Sequence, residues 1–363
     1  MASARLSLPP SLASPLPSAT IDEVDEEALS TMTKQLDFVG RTPSPSDSCA
    51  RQTQIYKRAL LWLTMLVQES LPGFELLEYG ARKKGTDTEW SDIDVVVVGS
   101  SEERETLQRF RNLVFNREAE LLQQLGIRQV IINDETLTAR VPTLKFSLTT
   151  NLHVDVTAHD SRRRDCHHGL GMVNVITTMR ETQCICTPMR RWGPLVRFLK
   201  AALHVCVLPA LAASIDLRSF HIEVLVLCFL LDSRVWPRKA YSGENARAQL
   251  LLDLVEFYAT RFRPREHYIH HERGTTKMYF VQRQEGRMGD LVMSSLLPAS
   301  DAEGDAFYDS PRDGGWEQVI KPFFQTISDG IRNQSWSPEL EELLGIGRPT
   351  RSERFRNRLG GKG

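Results

Sequence analysis

The chain has 363 residues, the length of about two domains with terminal extensions. Apolar residues make up 41% and charged residues 25% of the chain, which excludes a collagen-like, a fully disordered or a disulfide-scaffold protein. The 45 basic and 46 acidic side chains give a net charge of −1, so nucleic-acid binding would need a local basic patch. The longest apolar run, residues 224–231, is far shorter than the ~18–20 residues that span a bilayer, so we expect no membrane association.

The N-terminal residues have a composition that does not support a packed core. Residues 1–20 contain five serines, four prolines, one arginine and no acid, and we expect residues 1–48 to be a disordered tail. The six scattered cysteines indicate a reducing compartment, and we expect a cytoplasmic protein. A mitochondrial or other organellar location stays open if residues 1–20 are a transit peptide, although four prolines disfavour the helix that such peptides form.

Residues 49–160 are predicted to form a first domain of helices around a mixed sheet. Apolar residues at helical spacing over 55–69 predict a helix, and a short strand is expected over 74–79. Four consecutive valines predict a strand that is buried on both faces. One helix over 102–125 and three strands complete this domain, the strands covering residues 128–132, 139–148 and 152–157.

The rest of the chain has the pattern of helices. Residues 161–345 are predicted to form a mostly helical second domain, because apolar residues recur with a 3.6-residue period in five segments. These segments are residues 173–179, 192–207, 220–231, 246–261 and 316–331. Residues 346–363 are predicted to be a basic tail. The sequence therefore predicts an α+β (mixed α/β) fold of two domains.

Residues 80–98 combine a glycine-containing turn with two closely spaced acids. Gly80 and Gly85 stand five residues apart in a lysine-containing turn, which allows backbone amides to close around an anion. Asp92 and Asp94 stand two residues apart at the start of the valine strand, so both carboxylates project from one face. Burying two unpaired acids is costly, and a divalent cation offsets that cost because hard cations take oxygen ligands. This segment therefore predicts a metal-dependent nucleotide site; solvated aspartates beside an ordinary turn are the alternative.

A third acid is expected from a later strand. The apolar residues of 152–157 alternate and predict one core face, which leaves Asp155 on the opposite face. Asp155 could then lie beside Asp92 and Asp94 and accept the proton of an incoming hydroxyl. Asp160 is the competing candidate, but it is expected to lie past the end of the strand.

The glycine turn, the Asp-x-Asp strand and the later aspartate resemble the DNA polymerase β-like nucleotidyltransferase superfamily. The resemblance is strongest to terminal uridylyltransferases and non-canonical poly(A) polymerases, which add ribonucleotides to RNA 3′ ends without a template. It covers residues 71–232, and residues 139–146 are similar to the strand that precedes the third aspartate in these enzymes. The resemblance implies a nucleotidyltransferase core with a mixed β-sheet, a helical poly(A) polymerase-associated-like domain that recognises the base, and a nucleotide cleft between them.

The resemblance also implies roles for individual residues. Asp92, Asp94 and Asp155 would be the catalytic residues and the ligands of Mg²⁺ or Mn²⁺. The implied nucleotide-binding residues are Gly80, Ala81, Lys84, Ser91, Asn174, Lys200, His204, Ser219 and Phe220. Within this set the two lysines and Ser219 would hold the triphosphate, Asn174 would contact the ribose, and Phe220 would stack on the base.

The implied activity is the template-independent addition of ribonucleotides, UMP favoured over AMP, to an RNA 3′ end. The expected partners are UTP or ATP, the RNA and an RNA-processing protein complex. Ala81 replaces the serine of the family, His204 stands where relatives often carry a second lysine, and Phe220 replaces tyrosine. Two alternatives remain open. The Lys84-Gly85-Thr86 triplet has some likeness to synthetases of oligoadenylate or cyclic dinucleotides, and Ala81 would suit a catalytically weak RNA-binding homologue.

Two further groups of side chains lie outside these motifs. The arginines at 162–164 and 190–191 would flank the cleft and hold RNA phosphates, or would be ordinary solvated surface. The cysteines and histidines of 166–168 and 184–186 fit no common zinc-finger spacing, so we do not expect zinc.

Overall fold

The computed structural model describes residues 26–40, 47–88, 91–133, 135–138, 142–149, 152–162, 173, 192–207, 219–232, 244–264, 266–271, 278–282, 292–294, 307–309 and 316–344. Within these ranges the chain forms two hydrophobic cores and two β-sheets. No helix in the described ranges is long and apolar enough to cross a membrane.

The first core belongs to a unit that runs from residue 47 to residue 162. Its elements are α2 (Asp47–Ser70), β1 (Glu75–Glu78), α3 (Gly80–Lys84), β2 (Ile93–Gly99), α4 (Glu103–Asn116), α5 (Glu118–Leu125), β3 (Ile131–Asn133), β4 (Leu144–Thr149) and β5 (Leu152–Asp160), and they follow an N-terminal helix α1 (Glu26–Gly40). The sheet order is β1-β2-β5-β4-β3, in which β2 and β5 are parallel and the other pairs are antiparallel. The sheet is therefore mixed, as predicted.

The valine strand lies at the centre of this unit. Val95, Val96 and Val97 are fully buried, and successive side chains of a strand point to opposite faces. Strand β2 is therefore buried on both faces, which confirms the prediction. In β5, Leu152, Val154 and Val156 are fully buried in the first core, so the predicted alternation of this strand is also confirmed.

The helix predicted over residues 102–125 is two helices. Helix α4 ends at Asn116, and Arg117 has φ −113° and ψ 20°, which is not helical. The Arg117 guanidinium donates hydrogen bonds to Glu69 at 2.8 Å and to Glu120 at 2.7 Å. These contacts tie the break to α2 and α5, and the apolar period of the sequence continues across it.

The second core is formed by later helices and a small sheet. The helices are α6 (Trp192–Cys206), α7 (Ser219–Leu231), α8 (Ala246–Glu256), α9 (Lys321–Asn333) and α10 (Pro338–Leu344), with wider turns at Phe257–Arg261 and Trp316–Ile320. The strands are β6 (His267–His271), β7 (Met278–Gln282), β8 (Val292–Ser294) and β9 (Phe307–Asp309), in the order β7-β6-β8-β9. This sheet was not predicted, because strands of three to five residues are too short to show a period.

Helix α1 corrects the prediction that residues 1–48 are a disordered tail. Residues 26–40 are helical, and Leu29, Met32 and Leu36 are buried in the second core at the i, i+3, i+7 spacing of one helix face. Helix α1 packs on α6 and α8. The N-terminal segment therefore contributes to the core of the unit that is farthest from it in sequence.

Candidate functional site

The three predicted acids emerge where β2 and β5 lie side by side. Asp94 and Asp155 are direct partners in the parallel pairing of these strands, so their side chains project from the same face with Cα atoms about 4.8 Å apart. Asp92 stands two residues before Asp94 and immediately before β2. The register therefore places Asp94 beside Asp155, and Asp92 lies just before the start of β2.

The charges of these carboxylates act on one another. Burial, and after it the negative charges of Asp155 and Asp92, raise the pKa of Asp94 to about 7. Burial also raises the pKa of Asp92, and the negative charge of Asp155 is the second cause. Burial and then Asp94 raise the pKa of the Tyr79 hydroxyl. The site therefore concentrates negative charge and favours binding of a proton or a cation.

Carboxylate oxygens are suitable ligands for Mg²⁺ or Mn²⁺, and the raised pKa of Asp94 indicates charge that a cation would balance. Across the described part of the chain, no three or more His, Cys, Asp or Glu side chains are arranged to hold one metal ion. Asp155 Oδ2 lies 2.5 Å from Lys145 Nζ, the residue opposite it on β4. The oxygen donors of the acids suit a divalent cation. A cation that bound Asp155 would compete with Lys145 for this carboxylate.

Gly80 brings the turn that follows β1 against Asp94. Its φ is +80°, and a Cβ atom at this position would lie 1.9 Å from Asp94 Oδ2. Both the backbone conformation and the close approach therefore require glycine. The predicted glycine turn is the short helix α3, and Gly85, with φ +72°, ends it and donates its N–H to the Arg82 carbonyl at 3.0 Å.

The two predicted triphosphate lysines meet at one carboxylate. Lys84 comes from α3 and Lys200 from α6, and each is only 8% exposed. Both form ion pairs with Glu223 of α7, and the distance from Lys200 Nζ to Glu223 Oε1 is 3.4 Å. Glu223 was not predicted, although it is a single acid within the otherwise apolar residues 222–231.

No protein-family model matches the chain, and no curated protein matches it either. Solved structures do match it. The polymerase core of TRAMP, an RNA surveillance complex, is 16% identical, with a TM-score of 0.57 over 87% of this chain and 94% of that chain. The Cid1 poly(U) polymerase with MgGTP bound is 17% identical, with a TM-score of 0.57 over 86% of this chain and 98% of that chain. A cytoplasmic RNA terminal U-transferase is 18% identical, with a TM-score of 0.57 over 88% of this chain and 97% of that chain.

The chain has the polymerase β-like nucleotidyltransferase fold. The predicted α+β (mixed α/β) fold class is confirmed.

Within the nucleotidyltransferase fold, the remaining predicted contacts have different surroundings. Ser91 is buried, and its Oγ accepts the Thr88 N–H at 2.8 Å shortly before β2. The Ala81 carbonyl accepts the Thr86 N–H at 2.9 Å. His204 is exposed, one turn after Lys200. Nucleotide binding by these three residues stays a prediction.

For some predicted residues the structure describes the backbone only, and for others it describes nothing. Asn174 lies outside the described residues. Ser219 and Phe220 are the first two residues of α7, and only their backbone is described. The two basic segments, apart from Arg162, and both cysteine and histidine clusters also lie outside.

Asp160, the competing candidate for the third acid, lies inside β5 and not past its end. It is paired with Gly99 in the register and bonded to the exposed Arg162, with Asp160 Oδ2 2.6 Å from Arg162 Nη2. Hydrogen bonds from Arg162 lower the pKa of Asp160 to about 2. Asp155 is the strand acid that stands next to Asp94, five residues away from Asp160 along the chain.

Proposed function

We propose that this protein is a template-independent RNA 3′-terminal nucleotidyltransferase that uses ribonucleoside triphosphates and Mg²⁺ or Mn²⁺. The observation that carries the proposal is the register of Asp94 with Asp155 on neighbouring parallel strands, close to the buried lysines Lys84 and Lys200. The charges of both lysines act on Asp94. Acidic and basic groups thus adjoin, as metal-dependent phosphate chemistry requires.

In the proposed reaction, the RNA 3′-hydroxyl oxygen attacks the α-phosphorus of the nucleotide. The new P–O bond extends the RNA by one residue, the α–β phosphoanhydride bond breaks, and pyrophosphate leaves. Asp155 accepts the hydroxyl proton, and Lys84, Lys200 and Ser219 hold the triphosphate. Cations held by Asp92, Asp94 and Asp155 would neutralise the phosphate charge and lower the pKa of the attacking hydroxyl.

Recognition of the nucleoside is proposed to come from the second unit. Asn174 would hydrogen-bond the ribose and Phe220 would stack on the base. We propose UMP in preference to AMP. The support is that similar structures include one described by its UTP selectivity, the Cid1 poly(U) polymerase, alongside the TRAMP polymerase core.

The test is extension of a labelled single-stranded RNA with each of the four ribonucleoside triphosphates and Mg²⁺. We expect the wild type to lengthen the primer, faster with UTP than with ATP. The Asp94→Ala variant should lose at least about a thousandfold in rate, because several kcal/mol of charge stabilisation disappear. Asp329→Ala, which removes an exposed acid on α9, is the control and should keep the wild-type rate.

The same assay separates the alternatives. Phosphatase-resistant oligonucleotides formed without a primer would indicate an oligoadenylate or cyclic-dinucleotide synthetase. No product in this assay, together with binding of Mg·UTP or Mg·ATP in titration calorimetry, would indicate a catalytically weak RNA-binding homologue. Extension by Asp94→Ala at the wild-type rate would contradict the assignment of the acids.

A further inference from the structure

We propose that Glu223 is a positioning residue for the triphosphate, because its carboxylate holds the ammonium groups of Lys84 and Lys200 together. This inference rests on the proposed function of the two lysines. It adds a residue that does not itself touch the nucleotide and that acts through the lysines.

Glu223 is placed where a carboxylate needs partners. It is 2% exposed and belongs to α7, in which the residues from 222 to 230 are all buried. An unpaired buried carboxylate would be strongly destabilising. Its oxygens instead accept hydrogen bonds from Lys84, from Lys200 at 3.4 Å and from the Thr86 hydroxyl at 2.8 Å. The donors come from both hydrophobic units of the protein.

Glu223 brings two positive charges together. Two buried ammonium groups face this one carboxylate, and both of their charges also act on Asp94. Burial lowers the pKa of Lys200, and the negative charge of Glu223 opposes this and favours the charged ammonium. An ammonium has three N–H donors, so Lys200, which gives one to Glu223, can also donate to phosphate oxygens.

The turn that carries Lys84 is fixed to the second unit at two further points. Arg197 Nη1 donates to the Gly85 carbonyl at 2.7 Å. A Cβ atom on Gly193 would lie 3.0 Å from the same carbonyl oxygen, so α6 approaches this turn closely. These contacts hold the backbone, and Glu223 holds the side chains of Lys84 and Thr86. The position of the Glu223 carboxylate therefore determines where the ammonium groups of Lys84 and Lys200 lie.

The experiment compares three ligands by titration calorimetry: UTP, UMP and inorganic tripolyphosphate. In Glu223→Gln we expect the Kd of UTP and of tripolyphosphate to rise about tenfold or more, because charged hydrogen bonds that orient the lysines are lost. The Kd of UMP should change by less than about twofold, because UMP has no β- or γ-phosphate for the lysines to bind. A residue that only supported the fold would change all three Kd values alike.

The matched control is Glu256→Gln in the same unit. Glu256 is partly buried and, like Glu223, ion-paired: it accepts from Arg332 Nε at 2.6 Å, and this partner lies on α9 rather than on α3 or α6. This variant should leave all three Kd values unchanged. Thermal unfolding followed by circular dichroism identifies any variant that fails to fold.

Thr86→Val is the second variant and decides the outcome if Glu223→Gln does not fold. It removes the 2.8 Å hydrogen bond to Glu223 and keeps a side chain of similar shape in a fully buried position. We expect a loss of about two- to fivefold in tripolyphosphate and UTP affinity, and no loss for UMP. Equal losses for all ligands, or no loss in a folded variant, would overturn the proposal for Glu223.

The readout also separates this inference from the proposed function. Selective loss of triphosphate binding in Glu223→Gln supports the positioning role even if the wild type extends no RNA. A lack of RNA extension by the wild type would contradict only the proposed function. A wild type that extends RNA but does not bind tripolyphosphate would overturn the role of Glu223 alone.

Discussion

At the level of single residues, Gly80 connects the backbone to the acids. Two features require glycine at position 80, the positive φ and the close approach to Asp94. At Gly73 only the first applies, since its φ is +82° and a Cβ there would meet no atom within 4 Å. We expect Gly73→Ala to lower the free energy of unfolding by about 1–2 kcal/mol, the cost of the left-handed conformation. Gly80→Ala should cost more and should also displace Asp94. Urea unfolding measures both, and equal losses would contradict the close approach.

The raised pKa of Asp94 predicts a pH dependence of stability. The folded state favours the protonated carboxyl, because its pKa there is about 7 against an ordinary value of 3.8. Stability from this group is therefore present at low pH and is lost as the pH rises from about 4 to about 7. We expect the wild type to lose at most about 4 kcal/mol relative to Asp94→Asn between these limits.

The measurement is urea unfolding of both proteins in metal-free buffer from pH 4 to pH 8. Adding Mg²⁺ at pH 8 should stabilise the wild type and leave Asp94→Asn unchanged, because the cation replaces the proton. Parallel pH profiles of the two proteins would show that the pKa of Asp94 is not raised in the folded state. Asp329→Asn is the exposed control and should follow the wild type.

The placement of the acids could be predicted from the sequence because strand alternation decides which face of the sheet a side chain takes. Asp92, Asp94 and Asp155 needed only that local rule and a neighbouring pair of strands. The partners Lys145 and Glu223 could not be predicted in the same way. Each reaches the site from another element, and residue spacing carries no information about which elements meet.

At the level of secondary structure, helix α1 makes the clearest prediction about stability. Leu36 is 1% exposed in the second core, whereas Lys34 on the same helix is exposed. Leu36→Ala should lower the free energy of unfolding by about 2–5 kcal/mol, because a buried cavity is left behind. Lys34→Ala should change it by less than about 0.5 kcal/mol. Equal and small effects in chemical unfolding would contradict the packing of α1.

The same elements show how much of the fold the sequence could reveal. The valine strand and β5 were predictable because buried runs and alternation are strong local signals. The break at Arg117 was not, because a tertiary contact with Glu69 and Glu120 helps to fix it while the apolar period continues. Helix α1 had a usable signal in Leu29, Met32 and Leu36, but the acidic and proline-rich surroundings suggested a tail.

At the level of the whole molecule, the two hydrophobic units meet at the candidate site. The first unit supplies the acids on β2 and β5 and the lysine at the end of α3. The second supplies Lys200 and Glu223 from α6 and α7. The contact between Lys84 and Glu223 therefore joins the units at the place where we propose that the nucleotide binds.

We propose that Asp155, and not Asp160, is the third acid of a nucleotide-transfer site. The most direct test is RNA extension with UTP and Mg²⁺ by Asp155→Asn and Asp160→Asn, two identical changes on one strand. We predict that Asp155→Asn loses at least about a hundredfold in rate while remaining folded, and that Asp160→Asn extends RNA at nearly the wild-type rate. Wild-type extension by Asp155→Asn, or equal losses in both variants, would overturn the assignment of Asp155 as the third acid.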